Sequence, residues 1–317
     1  MATLRVPATV PNPSEDADAL HQAFAGWGTD ENMIITILGH RNAAQRNLIR
    51  QAYAEKYGED LLKSLNDELS QDFLRAITIW ILDPTERDAL LVNEAVKKWS
   101  PTNHVLIEIA CARTSTELFR VKQAYHSKYK RSVEEDVAAH AKGSLRKLLV
   151  PLISVYRYEG PEVNISVAES EAKILHEMIE SKSYEDEELI RILTTRSKTQ
   201  LAVTFDQYNQ TFETSFEKDL EGVAEGHDFV SALWAVACCL VSPNVYFEKI
   251  LRLSIHRLGT DEEALTRVVA TRAEVDMEMI KETYFKKNNT TLVHDVQGDT
   301  SGDYKATLLA LIAGSDA

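Results

Sequence analysis

The sequence predicts an all-α protein built from four repeats, and three observations carry that reading. Four arginines, Arg41, Arg113, Arg196 and Arg272, each stand twelve residues before a tyrosine: Tyr53, Tyr125, Tyr208 and Tyr284. Twenty residues past each arginine sit Leu61, Val133, Phe216 and Leu292, and twenty-four past sit Leu65, Val137, Leu220 and Val296; offsets in multiples of four are helical spacing. No run of alternating apolar and polar residues is long enough to argue for a sheet.

The intervals between anchors are 72, 83 and 76 residues, longer than common solenoid units, so each repeat should hold several helices and a small core of its own. After a short tail, 1–14, the repeats span 15–84, 85–158, 166–241 and 242–317, with the longest connector near 159–165 between the second and third. That placement is consistent with two halves of two repeats each. In the first repeat ENMIITILGHR puts Met33, Ile34, Ile37 and Leu38 on one helical face. In the fourth, Thr260 followed by Glu263 reads as a capping box opening the equivalent helix. Pro84, Pro101, Pro151, Pro161 and Pro243 fall at expected helix ends or loops.

With 317 residues, 44% of them hydrophobic, the chain can bury a substantial core. Its net charge of -14 should repel nucleic acid and anionic lipid alike, so an anionic partner needs a cation in between. The first twenty residues lack the apolar stretch of a signal peptide, and no segment approaches the ~18–20 uncharged residues of a membrane span. A cytoplasmic protein is expected. Cys111, Cys238 and Cys239 have neither zinc-site spacing nor the pattern of a secreted disulfide framework. The glycosylation matches at Asn164, Asn209 and Asn289 are then without meaning.

One stretch recurs once. Gly28-Thr29-Asp30-Glu31 in the first repeat matches Gly259-Thr260-Asp261-Glu262 in the fourth, each glycine thirteen residues before its anchor arginine. Glycine lets a turn aim several carbonyl oxygens at one place, which suits a hard cation such as calcium, and a carboxylate would complete such a site. Forty residues after each glycine stand Glu68 and Asp299. The second and third repeats have Ser100 and Ser183 at the glycine position and His140 and Val223 at the acid position. Loop and acid are present together or absent together, which a purely structural turn would not require.

The G-x-G-T-D loop, the acid forty residues on, the ending GDTSGDYKATLLALI and the fourfold repeat resemble the annexins, calcium-dependent phospholipid-binding proteins, over nearly the whole chain. The short tail, the tryptophan in the first loop and the two repeats without the motif are most similar to plant annexins. The resemblance implies a curved disc of four five-helix repeats with calcium loops on the convex face. By position, one Ca2+ site would use the carbonyls of Phe24, Gly26 and Gly28 with Glu68, and another those of Ile255, Arg257 and Gly259 with Asp299. Arg257 departs from the glycine expected there. Calcium would bridge the acidic chain to anionic phospholipid membranes, giving reversible peripheral attachment. Trp27 is expected at the membrane boundary, the alternative being packing on its own repeat, and Trp99 with Lys98 would touch lipid without calcium.

Other features admit rival readings. His40 invites a heme or peroxidase role, but its counterparts Ala112, Thr195 and Thr271 need no ligand. Cys111 and Cys239 would form a redox pair only if the fold joined them, and both lie in apolar sequence. Ile190-Arg191-Ile192 resembles a tripeptide proposed for F-actin binding, within a plain amphipathic helix. Asp295 and Asp299 each open a D-x-x-G element, with no phosphate-binding loop beside them. Asp88, Glu108, Arg113 and Arg267 align with charges lining a channel in the family; paired core charges are the simpler reading, with ion conduction the alternative. No enzymatic activity and no nucleic-acid partner are expected, and copies of the chain on a membrane are a further partner the reading admits. The main rival is a calcium-independent helical-repeat scaffold.

Overall fold

The computed structural model describes residues 1–313 apart from 26, 27, 99, 101, 102, 155, 257 and 258. Its described residues form twenty helices and no strand, in four sets of five. The first set is α1 (Pro13–Phe24), α2 (Glu31–Leu38), α3 (Ala43–Tyr57), α4 (Leu61–Glu68) and α5 (Gln71–Ile81). The second is α6 (Pro84–Lys97), α7 (His104–Ala112), α8 (Ser115–Tyr129), α9 (Val133–His140) and α10 (Gly143–Ser154). The third is α11 (Ile165–Glu180), α12 (Glu187–Thr195), α13 (Lys198–Phe212), α14 (Phe216–Ala224) and α15 (Asp228–Val241). The fourth is α16 (Pro243–Ile255), α17 (Glu262–Arg272), α18 (Met277–Asn288), α19 (Leu292–Asp299) and α20 (Gly302–Ile312).

Local chemistry sets the helix ends. Asn12, Asn42 and Thr114 close capping boxes with Glu15, Gln45 and Glu117, starting α1, α3 and α8. The long third helix of every repeat ends at a left-handed residue seventeen past the anchor arginine: Gly58, Lys130, Glu213 and Asn289, with φ between 55° and 72°. Only the first uses the glycine that this conformation favours.

The anchor arginines of the first three repeats are each held by a carboxylate twenty-five residues earlier, in the first helix of the repeat. Arg41 donates to Asp16 at 2.7 and 2.9 Å, Arg113 to Asp88 at 2.5 and 3.1 Å, and Arg196 to Glu171 at 2.6 and 2.9 Å. In the fourth repeat Phe247 stands at that offset; the Arg272 guanidinium lies 4.5 Å from the Phe247 ring centre and pairs with Asp276. The tyrosines form a second repeated clamp. Tyr125, Tyr208 and Tyr284 donate to Asp136, Asp219 and Asp295 at 2.6–2.8 Å, and Tyr53 donates to Ser64 at 3.1 Å. All eight apolar positions twenty and twenty-four past the anchors are at most 1% exposed.

The chain divides into two compact units: Met1–Arg87 with Phe247–Ala317, and Asp88–Tyr246. The first unit therefore joins the first and fourth repeats and the second joins the second and third, so the long connector lies inside a unit and does not divide halves. In the first unit α5 packs on α17 and α20, and α2 on α20. Arg46, fully buried, lies 3.7 Å over Trp80 and donates to Glu274 at 2.8 Å, tying first to fourth repeat. In the second unit α7 packs on α15, and α10 on α12.

Three local readings are corrected. Met33 is 41% exposed while Ile35 is buried beside Ile34, Ile37 and Leu38, because the packed stripe of α2 is turned by about 50°, half a residue, toward Ile35. Thr260 does not cap α17; Asp261 does, accepting from the Ala264 N–H, and the threonine hydroxyl turns to Asp299. Pro151 lies inside α10, where burial of Leu148, Leu149, Leu152 and Ile153 offsets the roughly 3 kcal/mol that a mid-helix proline costs. Pro84 and Pro243 do open helices, and Pro101 is outside the described residues.

Two consequences are measurable. Asp16→Ala leaves Arg41 buried without its partner, and the urea midpoint should fall by the equivalent of about 3–5 kcal/mol. Burial, and donation to Asp136, push the Tyr125 phenol up to about 12. The folded value lies above the unfolded value of about 10, so this stabilisation is intact below pH ~10 and disappears as pH rises through the folded value. Tyrosinate absorbance in an alkaline titration should lose one late-ionising group in Tyr125→Phe.

Candidate cation site

The first loop begins where α1 stops. The Ala25 N–H reaches only to Gln22 O, and the chain is closed again when the Asp30 N–H donates to Ala23 O at 2.9 Å. Within that closure Gly28 has φ +109°, a region closed to side chains bearing a Cβ without strain. Asp30 then caps α2, accepting from the Met33 N–H at 2.9 Å. The fourth repeat repeats the closure, the turn and the cap: the Asp261 N–H donates to Ser254 O at 2.9 Å, Gly259 has φ +84°, and Asp261 caps α17. Each aspartate is thus committed to its helix, and its carboxylate is a structural group of the loop.

The acids predicted to complete these loops are the last residues of α4 and α19. Thr29 Oγ1 donates to Glu68 Oε2 at 2.8 Å, and Thr260 Oγ1 donates to Asp299 Oδ2 at 2.7 Å. Each clasp spans thirty-nine residues and brings one exposed carboxylate onto the glycine turn. Neither threonine was assigned to its acid in the sequence, where Thr260 was read as a helix cap; their recurrence in both G-T-D stretches was the available signal. Both acids also line one cleft of about 360 Å3 within the first unit, with Glu31, Asp72, Glu262 and Asp303 around it.

Calcium fits this donor set. Among the described residues no three His, Cys, Asp or Glu side chains converge as a metal cluster, so a cation here must draw on backbone oxygens plus the clasped carboxylate. A hard cation accepts that mixture. Phe24 and Ile255 end their helices, and Gly28 and Gly259 occupy the turns. Gly26 and Arg257, and with them Trp27 and Trp99, lie outside the described residues.

The other two repeats are built differently at these positions. Ser100 Oγ accepts from the Asn103 N–H at 3.1 Å, and His140 donates through Nδ1 to Asp136 O at 2.7 Å. Ser183 receives a hydrogen bond from Ser181, and Val223 lies within α14. Neither repeat has a carboxylate at the acid position. Lys98 is exposed at the end of the second repeat's first helix.

Comparison with known proteins fixes the lineage of this scaffold. The annexin family profile matches residues 15–80, 87–152, 170–235 and 246–311. The chain belongs to the annexin family. It is 56% identical over 317 residues to annexin D2 of Arabidopsis thaliana, covering 100% of both chains, and 55% identical to annexin Gh1 of Gossypium hirsutum, covering 98% of both. Chicken annexin V has the same fold, with a TM-score of 0.90, 34% identity and 99% of each chain covered. A calcium-bound annexin (Sm)1 structure superposes with a TM-score of 0.83 at 29% identity, covering 98% of this chain and 93% of that one. This annexin is most like those of plants.

The remaining sequence candidates have the following places. His40 donates through Nδ1 to Thr36 O at 3.1 Å. Cys111, Cys238 and Cys239 are buried free thiols, and burial raises the Cys111 thiol to about 11. In the tripeptide 190–192 both isoleucines are buried and Arg191 pairs with Glu188 and Glu171. Asp295 accepts from Tyr284 and Thr290. Arg113 pairs with Asp88, and Glu108 accepts from Tyr246 at 2.9 Å. No described helix is long and apolar enough to cross a membrane.

The loop geometry itself is testable. Among the described residues, no atom beyond Gly28 and its chain neighbours lies within 4 Å of where a Gly28 Cβ would stand, so the cost of Gly28→Ala is conformational. Its urea midpoint should fall by about 1–2 kcal/mol equivalent, with helix content by circular dichroism unchanged.

Proposed function

We propose that this annexin attaches reversibly to anionic phospholipid surfaces when calcium is present, through the loops of its first and fourth repeats. The single observation that carries the reading is the threonine clasp, which aims Glu68 at the Gly28 turn and Asp299 at the Gly259 turn. One carboxylate per loop leaves a bound calcium ion with net positive charge and coordination positions for lipid oxygens. The chain needs that charge, because at -14 it is otherwise repelled by an anionic surface. Ligands would be the Phe24, Gly26 and Gly28 carbonyls with Glu68, and the Ile255, Arg257 and Gly259 carbonyls with Asp299. Trp27 would sit at the headgroup boundary, where indole rings concentrate.

So few charged ligands make intrinsic affinity low, of the order of 10⁻⁴–10⁻³ M. Reciprocal linkage then lets the membrane tighten calcium binding as much as calcium tightens membrane binding. Co-sedimentation with phosphatidylserine vesicles tests this. Wild type should pellet with calcium and stay in solution with chelator. Glu68→Gln and Asp299→Asn should each raise the calcium needed, and the double variant should pellet no more than wild type in chelator. Equal pelleting of wild type in chelator would instead favour direct contact through Trp27, Lys98 and Trp99, and undiminished calcium-driven pelleting of the double variant would sink the two-site reading.

A further inference from the structure

In a chain of net charge -14, the second repeat concentrates positive charge. The stretch 126–131, HSKYKR, runs through the end of α8 and the turn after it with three cations and no acid. The corresponding stretches of the first and third repeats, AEKYGE and NQTFET, each come to -1. The fourth has FKKNNT, but Lys287 there is held at 3.0 Å by the buried Glu248. At the end of α6 Lys97 and Lys98 add two more cations, where the first and third repeats have Ala25-Gly26 and Glu180-Ser181.

The fold joins the two helix ends. Lys97 Nζ lies 6.0 Å and Lys128 Nζ 5.7 Å from the centre of the Tyr129 ring. Lys97, Lys98, Lys128, Lys130 and Arg131 are all exposed. Two acids stand beside them: Asp136 pairs with Arg131 at 2.7 Å, and Glu94, after burial, raises the Tyr129 phenol. Glu134 is held by a further cation, Lys122. Five cations less Glu94 and Asp136 leave +3. Lysines in a last helical turn complement the helix dipole, which accounts for Lys97 and Lys128 alone. Lys130 instead has φ 57°, in the left-handed region, where the first and fourth repeats place Gly58 and Asn289. A strained position is thus occupied by a cation.

The size of the patch limits its partner. The Debye length at physiological ionic strength is about 8 Å, so the patch acts on what touches it, while a long polyanion would also meet the acidic remainder of the chain. A compact anion avoids that. Each phosphomonoester carries roughly -1.5 to -2, so two or three on one small scaffold match the patch, whereas a phosphatidylserine headgroup carries a single net charge. A linear triphosphate needs a glycine-rich cradle, and none is present in the sequence. Lysines on flexible stems from two helix ends suit phosphates that point in different directions from a ring.

We propose that Lys97, Lys98, Lys128, Lys130 and Arg131 bind the phosphates of a polyphosphorylated inositol group without calcium. That the group belongs to a membrane lipid rests on the reading that the loops after the first helices meet a membrane; the charge chemistry does not. Full-length protein in chelator, titrated calorimetrically with inositol trisphosphate, should bind it. Lys97→Gln, Lys128→Gln and Lys130→Gly combined should weaken binding about a hundredfold, roughly fivefold per lysine. Helix content by circular dichroism should be unchanged, since Lys130→Gly relieves a strained backbone position. Lys147→Gln, at an exposed lysine elsewhere in the same unit, should bind like wild type. The Glu68→Gln, Asp299→Asn double variant should also bind like wild type, which separates failure of the calcium bridge from failure of this patch.

In chelator, wild type should pellet with phosphatidylcholine vesicles that contain phosphatidylinositol bisphosphate, and stay in solution with phosphatidylserine vesicles of equal charge; the triple variant should pellet with neither. Absent binding of inositol trisphosphate, undiminished binding by the triple variant, or equal displacement by ATP would overturn the proposal. Tighter binding of duplex DNA, or equal pelleting with phosphatidylserine, would likewise overturn it in favour of an unselective basic surface. Binding of the soluble trisphosphate without pelleting on the bisphosphate vesicles would overturn the lipid source and leave a free inositol phosphate as the ligand.

Discussion

The arginine–carboxylate pair, its carboxylate buried in every case, is the constraint on which the first three repeats depend. Asp16, Asp88 and Glu171 lie in first helices, while Arg41, Arg113 and Arg196 lie in the turn between second and third helices. One two-pronged contact therefore locates three helices at once. Two buried ions are costly to desolvate, and such a pair is tolerable because its geometry satisfies both groups. With first and second helices so fixed, the loop joining them has little freedom in where it begins and ends. The fourth repeat reaches the same arrangement by another route, with Arg272 on Phe247 and Asp276. The helix placement is retained although the charge partner has moved.

The tyrosine clamp carries that order to the candidate site. Tyr53 holds Ser64, and Tyr284 holds Asp295. Each clamped residue precedes the site acid, Glu68 or Asp299, by four positions, one helical turn on the same face. Arginine fixes the loop and tyrosine fixes the acid-bearing helix, so the threonine has only to join two parts already close together. A hydroxyl–carboxylate hydrogen bond in exposed surroundings contributes on the order of 1 kcal/mol, too little to organise the site alone. It reports an arrangement set by the buried pairs.

This hierarchy explains what was legible in the sequence. Anchor arginines, tyrosines and the apolar positions after them recur because core contacts need a given residue type at a given helical phase. The loop glycines and their acids were legible for the same reason, as a pattern repeated twice. The acids twenty-five before the anchors carried a threefold signal that the fourth repeat obscures with Phe247. Pairing of first with fourth repeat had no such signal. It involves Arg46 and Glu274, 228 residues apart, and the other repeats have Leu118, Leu201 and Met277 at the Arg46 position. A contact made once has no period to detect, whereas the connector of 159–165 is visible locally and pointed to the wrong division.

The same hierarchy allows the repeats to differ in what they bind. Glu68, Asp299, Lys97 and Lys128 are exposed, and exposed substitutions away from caps and special backbone positions change stability by about 0.5 kcal/mol or less. The buried pairs, at several kcal/mol each when broken, leave no comparable latitude. A scaffold built this way can hold six carboxylates around one cleft in its first unit and a basic patch at two helix ends of its second with the helices unchanged. The ligand chemistry of each loop is therefore a property of a few exposed residues, and the position at which that chemistry is displayed is a property of the core beneath it.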